Sequence, residues 1–460
     1  MIDDGALRDV LSAALATGGE FAEIYAENRR STSVRLEERK VEEVTSGGDR
    51  GAGVRVIRGN STAYAYTNRL ERDALLDAAR VAAAALSDQP KVTVQDLRRG
   101  PERVLNPVAM PPDDVETARK VDVVRGMDEG ARAEGEAVRQ VIASYSEGTQ
   151  EVLIANSDGS IVEDHRVRTR LACTVVASRD GVVQTGSWNP GASSGFELID
   201  QHPPAQVGAK AAAQAIVMLD AVGAPAGEMP VVLAPGGGGV LFHEASGHGL
   251  EADLINKGAS VYRDRTGERI GSELLSAVDD GSVPGLWGSF AYDDEGAPSQ
   301  RTVLFERGVL TGAMTDFLRA RAMGLSRTGN GRRQSYAHLP IPRMSNSNIL
   351  PGNDDPAAIV RDVKNGLYAK SFAGGQVNTA TGDFVFGLSE AYLIEDGELT
   401  KPVRGANLVG NGPAVLALID AVGSDYEVWW GVCGKDGQGV PVTCGMPTVR
   451  IARITVGGTG

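Results

Sequence analysis

The sequence predicts an α+β protein in two parts. Residues 1–222 pack helices on antiparallel sheets, and residues 223–460 are mostly β with one principal helix. Three observations carry this. In the first part, four stretches show apolar residues at helical spacing, with β-type alternation between them. Beyond "VGAPAGEMP" at 222–230, glycine becomes dense and short apolar runs are punctuated by turns. The length, 460 residues, exceeds one ordinary core and suits two or three domains of roughly 100–200 residues.

The first helix is "DDGALRDVLSAALAT", residues 3–17. Alternating runs follow: "FAEIYAENRRSTSVRLEERKVEEVTSG", "GAGVRVIRG" and "STAYAYT". Val34, Leu36, Val41 and Val44 stand as apolar points among charges, which suggests a half-exposed antiparallel sheet. A second helix lies near 70–86. The Pro-rich "NPVAMPP" at 106–112 reads as a linker or long loop. A third helix begins after it, "DDVETARKVDVVRGMDEGARAEG", and leads into a β-meander. The meander's turns are marked by Ser-Asp-Gly at 157–159 and Arg-Asp-Gly at 179–181. The helix "PPAQVGAKAAAQAIVMLDA" closes this half. The order helix, sheet, helix thus occurs about twice, which suggests a duplicated architecture with subdomains at 1–105 and 113–222.

Composition excludes several functions. The formal net charge of -14 argues against nucleic acid as a main partner, because a phosphate backbone wants a basic surface. Three cysteines, Cys173, Cys433 and Cys444, make no disulfide framework. Cys173, in a strand pattern, reads as core packing. The acidic start "MIDDGALRDVL" is unlike a secretory signal, and no run approaches the ~18 apolar residues of a membrane span. The expectation is a cytoplasmic protein without membrane partners.

The chemistry concentrates in "LAPGGGGVLFHEASGHGLEAD", residues 233–253. It holds His243, Glu244 and His248. A spacing of four would bring two histidines within about 40° on an α-helix, whereas five leaves them about 140° apart. One ion can then be shared only through a single π-turn, or through a helix that ends and kinks at Gly247. Gly247 and Gly249 tolerate either distortion. In the functional reading the two imidazoles bind a divalent metal, zinc first, and Glu244 is the general base acting on metal-bound water. In the bland one they are ordinary histidines of a Gly-rich loop. On spacing alone the two readings stand level.

A catalytic zinc takes three protein ligands and keeps an open position. Glu251 and Asp253 are near in sequence; Cys433, Cys444 and His338 are distant alternatives. Lys435, beside Cys433, would favour its thiolate. Gly236 and Gly237, in "PGGGG", lack the ending of a phosphate loop, and instead let another backbone, such as a peptide substrate, lie close to the metal helix. In "GNGRRQSYAHLPIPRMSNSNIL", residues 329–350, Arg332, Arg333 and Arg343 are cations in an acidic chain. Tyr336 and His338 there could stabilise an oxyanion or support the metal ligands, or the stretch is simply a structured loop.

The segments "HEASGHGLEAD", "YAHLPIPRMSNS", "GGQVNTATGDFVFGLSEAYLIEDGE" and "CGKDGQGVPVTCGMPTVRIARITVGG" resemble the TldD/PmbA family, specifically its TldD side. The resemblance spans most of residues 223–460; the first half matches only in general layout. It implies a metallopeptidase with one divalent metal per chain, in which His-Glu-x-x-x-His is the normal spacing. It places the metal on His243, His248 and Cys433 and the catalytic glutamate on Glu244. It further implies a dimer, with itself or with a PmbA-type partner subunit, whose internal chamber admits unfolded or leader-type peptides. Cys444 is a departure from that motif. The alternative function is a non-catalytic peptide-binding or modulator subunit, which the intact Glu244 disfavours.

Overall fold

The computed structural model of the protein describes residues 2–86 and 93–458. Helix α1 (Asp4–Ala14) begins where the Asp3 carboxylate accepts a hydrogen bond from the Ala6 N–H at 2.9 Å, satisfying one donor of the first turn. Strands β1 (Phe21–Glu37) and β2 (Lys40–Arg58) form a long hairpin closed at Glu38 and Arg39, both at positive φ. Strand β3 (Ser61–Thr67) and helix α2 (Arg72–Ala84) complete a first helix–sheet–helix unit. After the short β4 (Arg98–Arg99), helix α3 (Thr117–Ala133), strands β5 (Val138–Asn156), β6 (Ser160–Arg179), β7 (Val182–Trp188) and β8 (Gly191–Ala192), the one-turn α4 (Leu198–Gln201) and helix α5 (Pro204–Val217) form a second. The Asp180-Gly181 turn between β6 and β7 has positive φ at both residues, the geometry that a two-residue hairpin requires.

The two units share one sheet. Strand β1 pairs with β5 along its length, from Glu23↔Asn156 to Glu37↔Ile142, giving the order β3-β2-β1-β5-β6-β4 with β7 and β8 on β6. Residues on one face alternate into two apolar clusters. Ile24, Val54 and Val56 pack under α1 and α2; Val34, Val141 and Leu171 pack under α3 and α5. Of the four valine and leucine points expected in a half-exposed sheet, Val34 and Leu36 are buried while Val44 is 49% exposed.

The opposite face carries Tyr25, Val152 and Ile154 and meets Ala291 and Tyr292 of the second half. Buried charges cross this seam. Arg55 lies 2.8 Å from Glu23 and 2.7 Å from Glu295; Arg333 lies 2.6 Å from Glu23; Arg166 lies 2.7 Å from Asp294. Desolvating such pairs costs most of what their attraction returns, so their contribution is orientation more than net stability.

The second half holds an eight-stranded and a six-stranded sheet with one large core between them. In the six-stranded sheet, Asn346–Ile349 runs parallel to Gln438–Met446, which pairs with the edge strand Glu427–Lys435. The expected single principal helix is instead several short pieces, the longest described α-helix being Phe317–Met323. The segment that carries the two histidines is composite: an α-turn Gly239–Phe242, a π-turn His243–Gly247 and a 3-10 turn His248–Leu250. Leu241, Phe242, Ala245 and Leu250 anchor it in the core. Among the described residues, no helix is long and apolar enough to cross a membrane.

Candidate metal centre

The π-turn resolves the five-residue spacing. Its i-to-i+5 geometry turns both histidines to one side, with ring centroids 5.1 Å apart. Of the two distortions that the sequence allowed, the chain adopts this one and continues through Gly247 without a kink out of helical φ and ψ. Packing favours glycine at 247. A Cβ there would collide with Sδ of Met344, a fully buried side chain.

The third donor arrives on a β-hairpin. Strands Glu427–Lys435 and Gln438–Met446 are joined by Asp436-Gly437, both at positive φ. This places Cys433 opposite Val440, with its Sγ 3.2 Å from His243 Nε2 and 3.4 Å from His248 Nε2. The three donor atoms lie within 4.8 Å of one another, and all three residues are buried. Tetrahedral zinc with bonds of ~2.0–2.3 Å sets its nitrogen and sulfur ligands about 3.5 Å apart, so the donor set fits such an ion in both chemistry and size.

The other ring nitrogens are also held. His243 Nδ1 lies 3.2 Å from Ser347 Oγ, and His248 Nδ1 lies 3.0 Å from Glu251 Oε2. Such partners fix ring orientation and raise ligand basicity. Glu251 and Asp253, near in sequence to the histidines, thus stand behind the donors. Glu251 meets Lys435 Nζ at 3.0 Å, and Asp253 meets it at 2.6 Å. Arg343, fully buried, donates to the carbonyl oxygens of Cys433 (2.6 Å) and Gln438 (3.1 Å), and so pins the hairpin. Among the described residues, Glu244 is a carboxylate both beside the donors and open to solvent. Its Oε2 is 3.7 Å from His248 Nε2 and its side chain is 27% exposed.

Electrostatics favour a thiolate. Burial raises the Cys433 thiol, but the imidazoles of His243 and His248 outweigh it and bring it down to about 4. Lys435, expected to do this, is instead engaged with Glu251 and Asp253. Burial disfavours charge on His248, yet Glu251 and Cys433 lift the ring to about 10. Burial likewise opposes charge on Glu251, while His248 and Lys435 bring it down to about 2.

The remaining predicted residues sit elsewhere. Gly236 and Gly237 are buried against the chain's own backbone: Gly236 N–H donates to Met446 O at 3.1 Å, and a Cβ on Gly237 would meet Lys370 O. Tyr336 lies in the seam with the first sheet, its hydroxyl 3.2 Å from Asp49 and its N–H donating to Glu27. His338 Nδ1 lies 2.8 Å from Ser335 Oγ. Cys444 is buried, faces Gly239, and interacts with the His243 ring, but stands outside the three-donor group. Ser347 and Gln438 were not legible as site residues: serine and glutamine carry no signal until a strand register places them.

Comparison with known proteins covers nearly the whole chain. Three domains match in order: PmbA/TldA metallopeptidase domain 1 at residues 22–86, the central domain at 111–219 and the C-terminal domain at 226–458. A Haemophilus influenzae protein named metalloprotease TldD homolog is 42% identical over 96% of this chain and 93% of its own length. A Saccharolobus solfataricus protein named zinc metalloprotease TldD homolog is 28% identical over 96% of this chain and 97% of its own. In fold, the chain is similar to the crystal structure of TldE from Thermococcus kodakarensis. The TM-score is 0.81 at 19% identity, covering 98% of this chain and all of that one.

Proposed function

Because the chain belongs to the PmbA/TldD metallopeptidase family, we propose that it is a metal-dependent peptidase for unfolded or flexible peptides, with His243, His248 and Cys433 holding one zinc ion and Glu244 as general base. The observation that carries this reading is the convergence of three buried donors, from a π-turn and a distant hairpin, on one point beside a solvent-open glutamate. The zinc-containing name of the Saccharolobus relative supports that choice of metal. When bound, such an ion supplies Lewis acidity that makes water nucleophilic near neutral pH.

The chain's own residues do the rest. Ser347 and Glu251 hold the two imidazoles by their far nitrogens, leaving Nε2 of each aimed inward. Arg343 and the Asp436-Gly437 turn keep Cys433 at its station. Glu244 Oε2 accepts the proton of the attacking water and returns it to the leaving amine. Pairing with a PmbA-type subunit or with itself, and enclosure of the site in a dimer chamber, belong to the same proposal.

The test is cleavage of a casein-like unfolded chain, alone and with a PmbA-type subunit. Chelation abolishes it, and Glu244→Gln retains the metal while losing activity. Full activity in Glu244→Gln would end the general-base assignment. Binding without cleavage under every condition would favour a non-catalytic subunit.

A further inference from the structure

Away from the metal donors, a cleft of about 650 Å³ opens between the first sheet and the second half. Arg29, Arg30, Arg166, Arg168, Arg332 and Arg333 line it against two carboxylates, Asp49 and Asp294. In a chain of net charge -14 this is a cationic enclave. Four of the six arginines have a carboxylate partner. Arg29 lies 2.7 Å from Glu27, Arg30 lies 3.5 Å from Asp113, Arg166 lies 2.7 Å from Asp294, and Arg333 lies 2.6 Å from Glu23.

Arg168 and Arg332 differ. Arg168 donates to main-chain oxygens, of Trp287 at 3.0 Å and Ser289 at 3.3 Å. Arg332 donates to Met344 O and lies over the Phe290 ring, 5.0 Å from its centroid. Among the described residues, neither forms an ion pair with a carboxylate. Carbonyl dipoles orient a guanidinium without pairing its charge, and Asp164 near Arg168 and Asp294 and Asp279 near Arg332 offset that charge only in part. Burial and the neighbouring Arg166 and Arg332 bring Arg168 down to about 9 against the pull of Asp164; burial outweighs Asp294 and, with Arg343 and Arg166, brings Arg332 down to about 10.

The far wall of the cleft is Val432, Gly439, Val440 and Pro441 of the hairpin that presents Cys433, whose register partner is Val440. An anion seated here is therefore one hairpin away from the metal centre. We propose that the cleft binds a carboxylate of the peptide substrate through the guanidinium groups of Arg168 and Arg332, an assignment that rests on the peptidase reading above. The planar guanidinium fork matches a carboxylate in two parallel hydrogen bonds. An arriving carboxylate would also relieve the repulsion among the arginines, so the enclave selects acidic over neutral peptides although the protein as a whole is acidic.

Equilibrium binding tests this independently of cleavage, by fluorescence anisotropy on the full chain without added metal. Four labelled forms of one unstructured peptide are compared: C-terminal acid or amide, each with Glu or Gln at a single interior position. The wild type is expected to bind at least one acid form tenfold or more tighter than the amide–Gln form. The ratio is expected to fall to near one in Arg168→Gln and in Arg332→Gln. Which pair shows the preference tells a terminal carboxylate from a side-chain one. Equal binding of all four by the wild type, or binding of none, overturns the inference without requiring any variant to fold. A preference that persists in both folded variants overturns it too. Cleavage of the same peptides is scored separately, with zinc and with and without a PmbA-type subunit: cleavage without preference sinks this inference and leaves the peptidase reading standing, whereas preference without cleavage under all of these conditions does the reverse.

Discussion

Cys433 Sγ stands 3.2 Å from His243 Nε2 although 190 residues of chain separate them. The donor set therefore exists only when the hairpin has docked on the π-turn, and metal binding is coupled to folding of the second half. Zinc at 100 times its dissociation constant is expected to add about 2.7 kcal/mol to stability. Differential scanning calorimetry with and without zinc checks this, and Cys433→Ala should abolish the shift. An equal shift in that variant would place the ion elsewhere.

The pair His248–Glu251 sets a pH window in the metal-free protein. His248 is raised from 6.5 to about 10, so its stabilisation is complete below about 6.5 and fades as pH rises towards 10. Glu251 is lowered from 4.5 to about 2, so its share is present above about 4.5 and is lost as pH falls towards 2. Breaking a buried pair costs roughly 3–5 kcal/mol. The stability gap between wild type and Glu251→Gln should thus be widest between about pH 4.5 and 6.5 and shrink on both sides. Urea unfolding across pH measures it, and a gap that does not vary with pH would contradict the pairing.

Arg343 touches none of the three donors; it holds Cys433 O and Gln438 O, and its Nε lies 3.9 Å from Glu251 behind His248. Arg343→Met should leave all three donors in place yet loosen the hairpin, weakening zinc binding on the order of 10–100-fold, as loss of an outer partner does. Competition with a chromogenic chelator reads this. Unchanged affinity would mean that the hairpin holds its station without the guanidinium.

Gly247 has no room for a side chain beneath Met344. Gly247→Ala is expected to cost about 1–3 kcal/mol by overpacking. The double variant Gly247→Ala/Met344→Ala should recover part of the loss caused by Met344→Ala alone, because the added methyl occupies the vacated space. A double-mutant cycle measures the coupling, and strictly additive losses would show that the two positions do not meet.

Local pattern made the first half of the fold readable. Helices at Asp4–Ala14 and Arg72–Ala84, and the Asp180-Gly181 turn, follow from periodicity and turn chemistry that are fixed within a few residues. That the two helix–sheet–helix units share one sheet was not readable, because the β1–β5 pairing joins residues far apart in the chain, such as Tyr25 and Ile154, and no local pattern encodes it. Within the metal centre, spacing alone limited the His243–His248 segment to a π-turn or a break. It could not choose between Cys433 and Cys444, since both are buried cysteines of one strand hairpin. Their separation depends on hairpin register: Cys433 pairs with Val440 and faces both rings, while Cys444 pairs with Trp429 and faces Gly239. Lys435 was misread for a related reason. Lys435, two residues along the strand from Cys433, shares its face, but the buried carboxylates of Glu251 and Asp253 take up its ammonium at 3.0 and 2.6 Å.

Metal content by inductively coupled plasma mass spectrometry tests the central claim most directly. Wild type, Glu244→Gln and Cys444→Ala should each carry about one divalent ion per chain, as a site of two histidines and one cysteine requires. His243→Ala, His248→Ala and Cys433→Ala should carry almost none. Full occupancy in Cys433→Ala, or loss of the ion in Cys444→Ala, would contradict the assignment of the metal to His243, His248 and Cys433.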